Sequence, residues 1–246
     1  MSTIAPPSVT QRVQTLLGFA CLLFVILFWR LGDASFWDPD EAHYAQTTVE
    51  LLQRGDWGVP YYNGEPFFDK PIVFYWLQAL PMRWLGDPET AARLAPALAG
   101  VGLVAVTAWF GTCLFGARVG LTAALMLATN AGLFALARYA ILDLPFTLFL
   151  FGGVASITVG MLERRRRLEY IGYGLVGLAN ATKGPVALVL CGVTFALACA
   201  IPRRTPGNGC SSCAGCRARS SRRFLVCRGP CTCCGASDAR SSTATS

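Results

Sequence analysis

Long apolar stretches alternate with short polar segments along most of the chain. A transmembrane helix needs about 20 mostly apolar residues with few or no charges. Four windows contain no charged residue and approach or exceed this length: Val13–Trp29, Leu94–Ala117, Val119–Ala137 and Leu144–Leu162. The pattern predicts a transmembrane helix at each of them.

A further apolar stretch, Tyr170–Pro202, contains one charged residue, Lys183, within the polar segment 180–185. This segment divides the stretch into two predicted spans, Tyr170–Ala181 and Pro185–Ile201. Together with the four uncharged windows, the pattern predicts about six spans. The expected fold class is therefore all-α, a multi-pass transmembrane helical bundle.

The first apolar window has two interpretations. Arg12 precedes a short apolar run, as in a secretory signal peptide. Residues 30–34 (RLGDA) are a poor fit to a small-x-small cleavage site, and this favours an uncleaved transmembrane helix.

Composition separates the chain into two parts, residues 1–201 and residues 202–246. Hydrophobic residues make up 54% of the sequence, charged residues 14%, and the mean hydropathy is +0.47. Soluble domains carry about 25% charge, so the first part is not a soluble enzyme. It holds 13 basic and 13 acidic residues, whereas the second part has 8 arginines and one acid and supplies the whole net charge of +7. The basic balance therefore gives no reason to expect nucleic acid as a partner.

Residues 202–246 are rich in Arg, Ser, Gly, Ala and Cys, and seven of the 11 cysteines lie between Cys210 and Cys234. Cys-x-x-Cys spacing is typical of zinc ligands, and a disulfide knot is another interpretation. No histidine accompanies the cysteines, and the mixture is typical of GC-rich coding sequence translated out of frame. We expect this segment to be a disordered tail without bound zinc.

Basic residues in short loops stay cytoplasmic, and this rule sets the topology. One arrangement places Arg12, Arg118, the run Arg164–Arg167, and Arg203 with Arg204 all inside. The same arrangement puts eight charged residues on the external side: Asp38, Asp40, Glu41, Asp69, Lys70, Arg138, Asp143 and Lys183. Charges near membrane depth usually face a partner or a water-filled cavity, so this convergence predicts a site. Ordinary interfacial anchoring is the alternative.

The external loop 31–93 carries its own helix signals. Asp38 is a suitable N-cap, Pro39 suits the first helical position, and Glu41 completes a capping box worth roughly 1 kcal/mol. The predicted helix runs to about Gln53 and stops at Gly55. Tryptophan and tyrosine are frequent throughout the loop, as expected at headgroup depth, and Pro71–Leu85 is a second predicted interfacial segment.

Generic roles account for several of these residues individually. Acids in a first helical turn are favoured by the helix dipole, which explains Glu41 well and leaves Asp40 undecided. Lys70 could be a snorkelling interfacial lysine. His43, the sole histidine, is expected on an exposed helix surface.

Five ordered motifs together resemble a known family. They are the segments 36–45 (FWDPDEAHYA), 55–60 (GDWGVP) and 68–71 (FDKP), followed by 138–143 (RYAILD) and 182–184 (TKG). This order and spacing resembles the polyprenyl-phosphate-dependent glycosyltransferases, which include the lipid A aminoarabinose transferases and the protein O-mannosyltransferases. The resemblance covers about residues 27–190.

The resemblance implies an inverting glycosyltransferase that takes a sugar from a polyprenyl-phosphate donor and passes it to a glycolipid or protein acceptor. The implied catalytic carboxylates are Asp40, Glu41 and Asp143, with Asp40 as the base of the Asp-Glu pair. Three residues are the implied partners of the donor phosphate: Lys70, Arg138 and Lys183. It also implies a bacterial inner-membrane protein whose active face is periplasmic.

Two departures from the family pattern leave details open. His43 stands where relatives usually have arginine, and Asp69 stands where some members have a glutamate that contacts a metal. A divalent metal with Asp69 as an oxygen ligand therefore stays open, and no cofactor is assigned. Family members are more than twice as long, so we expect this chain to be an amino-terminal portion.

The sequence is also compatible with two other classes of membrane protein, each of which makes its own demand on the residues. A transporter or channel would line a pathway with intramembrane charges, but no acid lies in mid-span and the charges gather on one face. A structural membrane protein with a metal-binding tail would require the cysteine cluster to be a true zinc site.

The topology is testable with reporter fusions. Fusions after Arg118, Arg167 and Arg204 should report the cytoplasm, and fusions near Gly64 and Lys183 should report the external side. A fusion that placed Arg164–Arg167 outside would contradict the arrangement, because it would split the predicted site between two faces of the membrane.

Overall fold

The computed structural model describes residues 9–37 and 39–200, which fold into nine helices and one antiparallel hairpin. The helices are α1 (Val9–Phe28), α2 (Asp40–Arg54), α3 (Val73–Met82), α4 (Pro88–Phe115), α5 (Ala117–Ala128), α6 (Ala131–Ala137), α7 (Asp143–Glu163), α8 (Arg166–Lys183) and α9 (Val186–Ala200). The strands are β1 (Tyr61–Tyr62) and β2 (Glu65–Pro66). The all-α class is confirmed. The predicted tail and the predicted N-cap Asp38 lie outside the described residues.

Each predicted apolar window is helical, but fewer helices than expected are long and apolar enough to cross a bilayer. Among the described residues, α4 and α7 meet this requirement. α5 and α6 together would give a third span, although their axes differ by 61°. α8 begins with two arginines and ends with Lys183, and α9 has only 15 residues. The described helices thus supply two or three clear spans, where the sequence predicts about six.

The break between α5 and α6 has a local cause. The side chain of Asn130 accepts hydrogen bonds from the backbone N–H groups of Gly132, at 2.8 Å, and Leu133, at 3.3 Å. This is N-cap geometry, in which an amide oxygen satisfies the first unpaired donors of a new helix. The chain therefore restarts a helix at Ala131 inside a window that the hydrophobic pattern treats as continuous.

α7 and α8 form an antiparallel pair, which brings the start of one beside the end of the other. Lys183, the last residue of α8, donates a hydrogen bond to Asp143, the first residue of α7. The run Arg164–Arg167 lies at the opposite end of the pair. Since α7 has 21 residues, these two ends are about 30 Å apart, close to the thickness of a bilayer core.

Glycines allow the backbones of α7 and α8 to approach closely. A Cβ atom added at Gly172 would lie 2.7 Å from the carbonyl oxygen of Gly153 and 2.9 Å from the backbone nitrogen of Ile157. Contacts this short to backbone atoms do not occur for real side chains. The two helices can therefore pack at this distance only with glycine at position 172.

The remaining core lies between α1, α4, α5, α6 and α7. Its buried residues are mostly small or aliphatic, and they include Leu27, Val104, Ala124, Leu133 and Leu144. Because α6 packs against α1 and α4 in this core, the connection from α6 to α7 is held close to the external loop.

The loop 31–93 contains the predicted helix, α2, which begins at Asp40 with Pro39 in the N-cap position, where the sequence predicts Pro39 as the first helical residue. Gly55 ends the helix in the left-handed conformation, with φ of 69°, which glycine adopts without steric penalty. The Glu50 carboxylate accepts hydrogen bonds from the backbone N–H groups of Asn63 and Gly64, at 2.8 and 3.0 Å. These two residues form the tip of the β1–β2 hairpin, so the hairpin is fixed against α2.

The close packing of α7 and α8 gives a testable prediction. Gly172→Ala should destabilise the protein by about 1–3 kcal/mol relative to Gly174→Ala, because only the first introduces an overpacked contact. Gly174 is a matched control in the same helix, with no atom within 4 Å of an added Cβ. Thermal unfolding in detergent checks the difference, and equal stabilities of the two variants would contradict the packing described.

Candidate functional site

The residues predicted from the sequence come together beside the first turns of α2. The contributing segments are the start of α2, the segment before α3, the connection from α6 to α7 and the end of α8. Their charged side chains are Asp40, Glu41, Asp69, Lys70, Arg138, Asp143 and Lys183. The structure therefore gathers at one end of the helices the residues that the topology argument places on one side.

Tyr44 lies where the acids converge. It follows Asp40 by one turn of α2 and packs edge-on against Phe74, with ring centroids 5.4 Å apart. Burial, together with the negative charges of Asp40, Asp69 and Asp143, raises the pKa of Tyr44 to about 12. The hydroxyl is therefore a neutral hydrogen-bond donor at neutral pH, close to carboxylates from three separate segments.

Asp40 is exposed, and no hydrogen bond or ion pair from the described residues engages its carboxylate. Burial, followed by the charges of Asp40 and Glu41, also raises the pKa of Tyr139, which lies in the α6–α7 connection. Asp40 is therefore close enough to Tyr44 and Tyr139 for its negative charge to raise the pKa of both phenols.

Glu41, the adjacent acid, is fully committed to the protein. Its side chain is 1% exposed and forms a two-pronged ion pair with Arg93 of α4, with Nε–Oε1 and Nη2–Oε2 distances of 2.7 and 2.9 Å. The carboxylate also accepts hydrogen bonds from the backbone N–H groups of Trp37, at 2.8 Å, and Ala140, at 2.7 Å. Glu41 therefore joins α2 to α4 and to two loop segments, and its oxygens are already occupied by hydrogen-bond donors.

The charge state of Glu41 follows from these contacts. Burial alone would raise the pKa of this carboxyl, but the hydrogen bonds from Arg93, Trp37 and Ala140 outweigh burial and hold the pKa below its usual value. Glu41 is therefore a carboxylate at neutral pH, and its interactions weaken only under acidic conditions.

Arg93 extends the same network into the loop that precedes α2. Its guanidinium donates to the backbone carbonyl oxygens of Leu31, Ala34 and Ser35, at 3.1, 2.6 and 3.1 Å. The sequence argument missed this residue because the apolar window was started at Leu94. A signal existed, since an arginine near the end of a membrane helix is expected to have a specific partner.

The two candidate lysines are each paired with an acid of the cluster. Lys183 binds Asp143, and Lys70 binds the neighbouring Asp69, with an Nζ–Oδ2 distance of 2.8 Å. Both lysine side chains are about one-third exposed. Because both ammonium groups are partly open to solvent, an incoming anion can reach them and replace Asp69 or Asp143 as the partner of the lysine.

Arg138, the third basic candidate, supports the end of α1. Its guanidinium donates to the carbonyl oxygens of Trp29, at 2.8 Å, and Arg30, at 2.7 Å, and lies over the ring of Phe134. These carbonyls follow the last turn of α1 and lack partners within the helix. Arg138 thus has a structural role at the end of α1. Its other N–H groups can still contact an anion.

An open cavity of about 440 Å³ adjoins the Glu41–Arg93 pair. Its walls are mostly apolar, and the lining residues that the cluster shares with it are Glu41, Arg93, Arg138 and Tyr139. Trp37 forms part of the rim and is 73% exposed. The cavity therefore connects an apolar space to the edge of the charged cluster.

The residues around Asp69 bear on the divalent metal that the sequence leaves open. Within residues 9–37 and 39–200, no three His, Cys, Asp or Glu side chains are close enough together to hold an ion. The partner of Asp69 in this part of the chain is Lys70, a cation.

His43 differs from expectation in its surroundings. The sequence predicts an exposed position, but the imidazole is half-buried and stacks on Tyr62, with ring centroids 3.8 Å apart. It follows Asp40 by three residues in α2, and its aromatic contacts are with Tyr62 of the hairpin and with Phe67.

The buried pair gives a prediction about stability. Glu41→Gln should destabilise the protein by about 3 kcal/mol, more than the loss of a capping box, because it leaves the Arg93 charge buried and uncompensated. Since the folded pKa of Glu41 is lowered, its contribution is present at neutral pH and should be lost as the pH falls below the usual glutamate range. Thermal unfolding in detergent at pH 7 checks the loss of stability.

The control is Glu65→Gln, at an exposed position. A change of less than about 1 kcal/mol for Glu41→Gln would show that capping alone accounts for this residue.

Curated relatives match most of this chain but extend well beyond it. The undecaprenyl phosphate-α-4-amino-4-deoxy-L-arabinose arabinosyl transferase of Edwardsiella ictaluri is 35% identical over 175 residues, which are 69% of this chain and 32% of that protein. The transferase of the same name from Aeromonas salmonicida is 34% identical over 180 residues, which are 70% and 33% of the two proteins. The chain thus spans about a third of the length of these relatives.

Solved structures show the same arrangement of helices. ArnT from Cupriavidus metallidurans, in the apo state and bound to undecaprenyl phosphate, superposes with a TM-score of 0.73 at 26% sequence identity. The match covers 77% of this chain and 36% of ArnT. The sequence model of one family, dolichyl-phosphate-mannose-protein mannosyltransferase, matches residues 14–205. The chain belongs to this mannosyltransferase family.

Proposed function

We propose that this chain forms part of the active site of an inverting membrane glycosyltransferase, which moves a sugar from a polyprenyl-phosphate donor to an acceptor. The observation that carries the proposal is the convergence of Asp40, Asp69 and Asp143 around Tyr44, with Lys70 and Lys183 at the same site. The relatives named as arabinosyl transferases and the neighbour solved with undecaprenyl phosphate support it.

Asp40 has the properties that the reaction needs in a base. In an inverting transfer, the acceptor hydroxyl attacks the anomeric carbon while a positioned group takes its proton, and the lipid phosphate leaves. The Asp40 carboxylate is exposed and unengaged within the described residues, whereas Glu41 is buried and fully bonded. The neutral hydroxyl of Tyr44 supplies a hydrogen-bond donor one turn away.

Lys70 and Lys183 are the proposed partners of the donor phosphate. A leaving phosphate needs positive charge near its oxygens, and both ammonium groups are partly exposed. Binding of the phosphate by Lys183 would release Asp143, which could then hold the acceptor. Arg138 contributes mainly through the position of α1, because two of its N–H groups are already used.

The acceptor is a glycolipid such as lipid A or a protein hydroxyl group. The name of the family, a protein mannosyltransferase, supports a protein acceptor. The similarity to aminoarabinose transferases, which the motifs also indicate, supports a glycolipid acceptor. We place the reaction at the periplasmic face of a bacterial inner membrane, where the cluster would lie opposite the run Arg164–Arg167.

The assignment of Asp40 is testable in a transferase of full family length that carries residues 1–201. Asp40→Asn preserves the shape of the side chain and removes the proton acceptor, so the transfer rate should fall on the order of 10²-fold or more. Binding of undecaprenyl phosphate should stay unchanged. Asp56→Asn is the matched control, since Asp56 is exposed in the same loop and its carboxylate accepts a hydrogen bond from the backbone N–H of nearby Gly58.

The opposite pattern would overturn this assignment. If Asp40→Asn kept near-full transfer while Glu41→Gln abolished transfer with its fold intact, Glu41 would be the base. If the parent protein bound no undecaprenyl phosphate, the donor class itself would be wrong.

A further inference from the structure

A second cavity, of about 400 Å³, lies on the side of α2 that faces away from Asp40. Successive helical residues are about 100° apart, so Ala42, Gln46 and Val49 point roughly opposite to Asp40 and Tyr44. The lining residues are Phe36, Pro39, Ala42, His43, Ala45, Gln46, Val49, Tyr62 and Pro88. Neither the proposed transfer chemistry nor the charged cluster uses this space.

The wall formed by the hairpin is fixed in place. His43 stacks on Tyr62, and Phe67 lies next to both rings, 5.3 Å from the imidazole centroid. The hairpin tip is bound to Glu50, and Arg54 lies 4.1 Å above the ring of Tyr61. α2 thus holds the hairpin at three successive points, which makes the aromatic wall preformed.

The lining side chains determine what this cavity can bind. Among residues 9–37 and 39–200, the lining includes no Lys, Arg, Asp or Glu, so a phosphate or carboxylate would find no opposite charge there. Aromatic and prolyl surfaces alternate with an imidazole, an amide and a phenol, which can hydrogen-bond to hydroxyl groups. A sugar ring has a matching combination of an apolar C–H face and a hydroxyl edge. The volume lies within the range of small-molecule sites.

We propose that this cavity binds an uncharged sugar residue of the acceptor. The proposal rests on the transferase function argued above in one respect: a sugar bound here lies across the width of α2 from Asp40, about 10 Å away, and so cannot be the sugar under transfer. It would instead anchor a neighbouring part of a glycosylated acceptor. An acceptor without a second sugar would not use the cavity.

The binding experiment compares two tryptophan substitutions in the same helix. Ala42→Trp fills the cavity, whereas Gln53→Trp adds the same side chain at an exposed position outside the lining. The probes are neutral N-acetylglucosamine and mannose disaccharides, measured by saturation-transfer NMR on the chain in lipid nanodiscs. At least one should bind the parent and Gln53→Trp equally, and bind Ala42→Trp at least about tenfold more weakly, a loss of 1.4 kcal/mol.

Several results would overturn the proposal. They are the absence of binding by either disaccharide to the parent, equal binding to both tryptophan variants, and displacement of the sugar by a neutral alkyl chain. If Ala42→Trp failed to fold, Val49→Phe would narrow the cavity with a smaller change and should weaken binding in the same direction. Binding of undecaprenyl phosphate is measured in parallel: its loss with sugar binding intact would refute the proposed donor but not this cavity.

Discussion

The buried ion pair between Glu41 and Arg93 is the constraint on which the external part of this protein depends. Removing two charges from water is expensive, and the expense is offset only where geometry is good and the remaining donors and acceptors are satisfied. Here the carboxylate accepts hydrogen bonds from two backbone N–H groups, and the guanidinium donates hydrogen bonds to three backbone carbonyls. These bonds are additional to the two that join the carboxylate to the guanidinium. The pair therefore joins α2, α4, the loop before α2 and the α6–α7 connection at one point.

This junction explains why the adjacent acids Asp40 and Glu41 differ in burial and in hydrogen bonding. Glu41 is turned inward and held by Arg93, and the next residue toward the start of the helix, Asp40, is turned outward beside Tyr44. The same carboxylate holds the backbone of Ala140, three residues before Asp143, so both candidate acids are positioned from one buried group. A fixed scaffold of this kind would hold the proposed base and the proposed phosphate partners at constant distances from one another.

Local patterns predicted the parts of this fold that local physics determines. The end of α2 at Gly55 and the helices of the apolar windows follow from capping and hydrophobicity along a few residues. The break at Asn130 was missed because a single capping side chain interrupts a window that stays apolar on average. Two of the predicted spans, in α8 and α9, are short or bear charges at their ends, so length and hydropathy alone do not mark them as spans among the described residues.

The candidate site shows a different limit. Residue types and order identified Asp40, Lys70, Asp143 and Lys183, but did not identify the Lys183–Asp143 ion pair, because its partners are 40 positions apart. Arg93 was missed because the apolar window begins at the next residue, Leu94, and because its partner Glu41 is 52 positions away and looks like an ordinary helix cap. The cavity behind α2 was equally hidden, because it forms only once the hairpin folds against the helix.

Hydrogen–deuterium exchange of the Glu41→Gln variant tests the central claim most directly. The carboxylate bonds the amides of Trp37 and Ala140, which are far apart in sequence. If it is the junction described, peptides covering both amides should lose protection together, while peptides from the middle of α7 keep theirs. Faster exchange confined to the peptide around Trp37, with Ala140 unchanged, would show that Glu41 is only a local helix cap and would contradict the account.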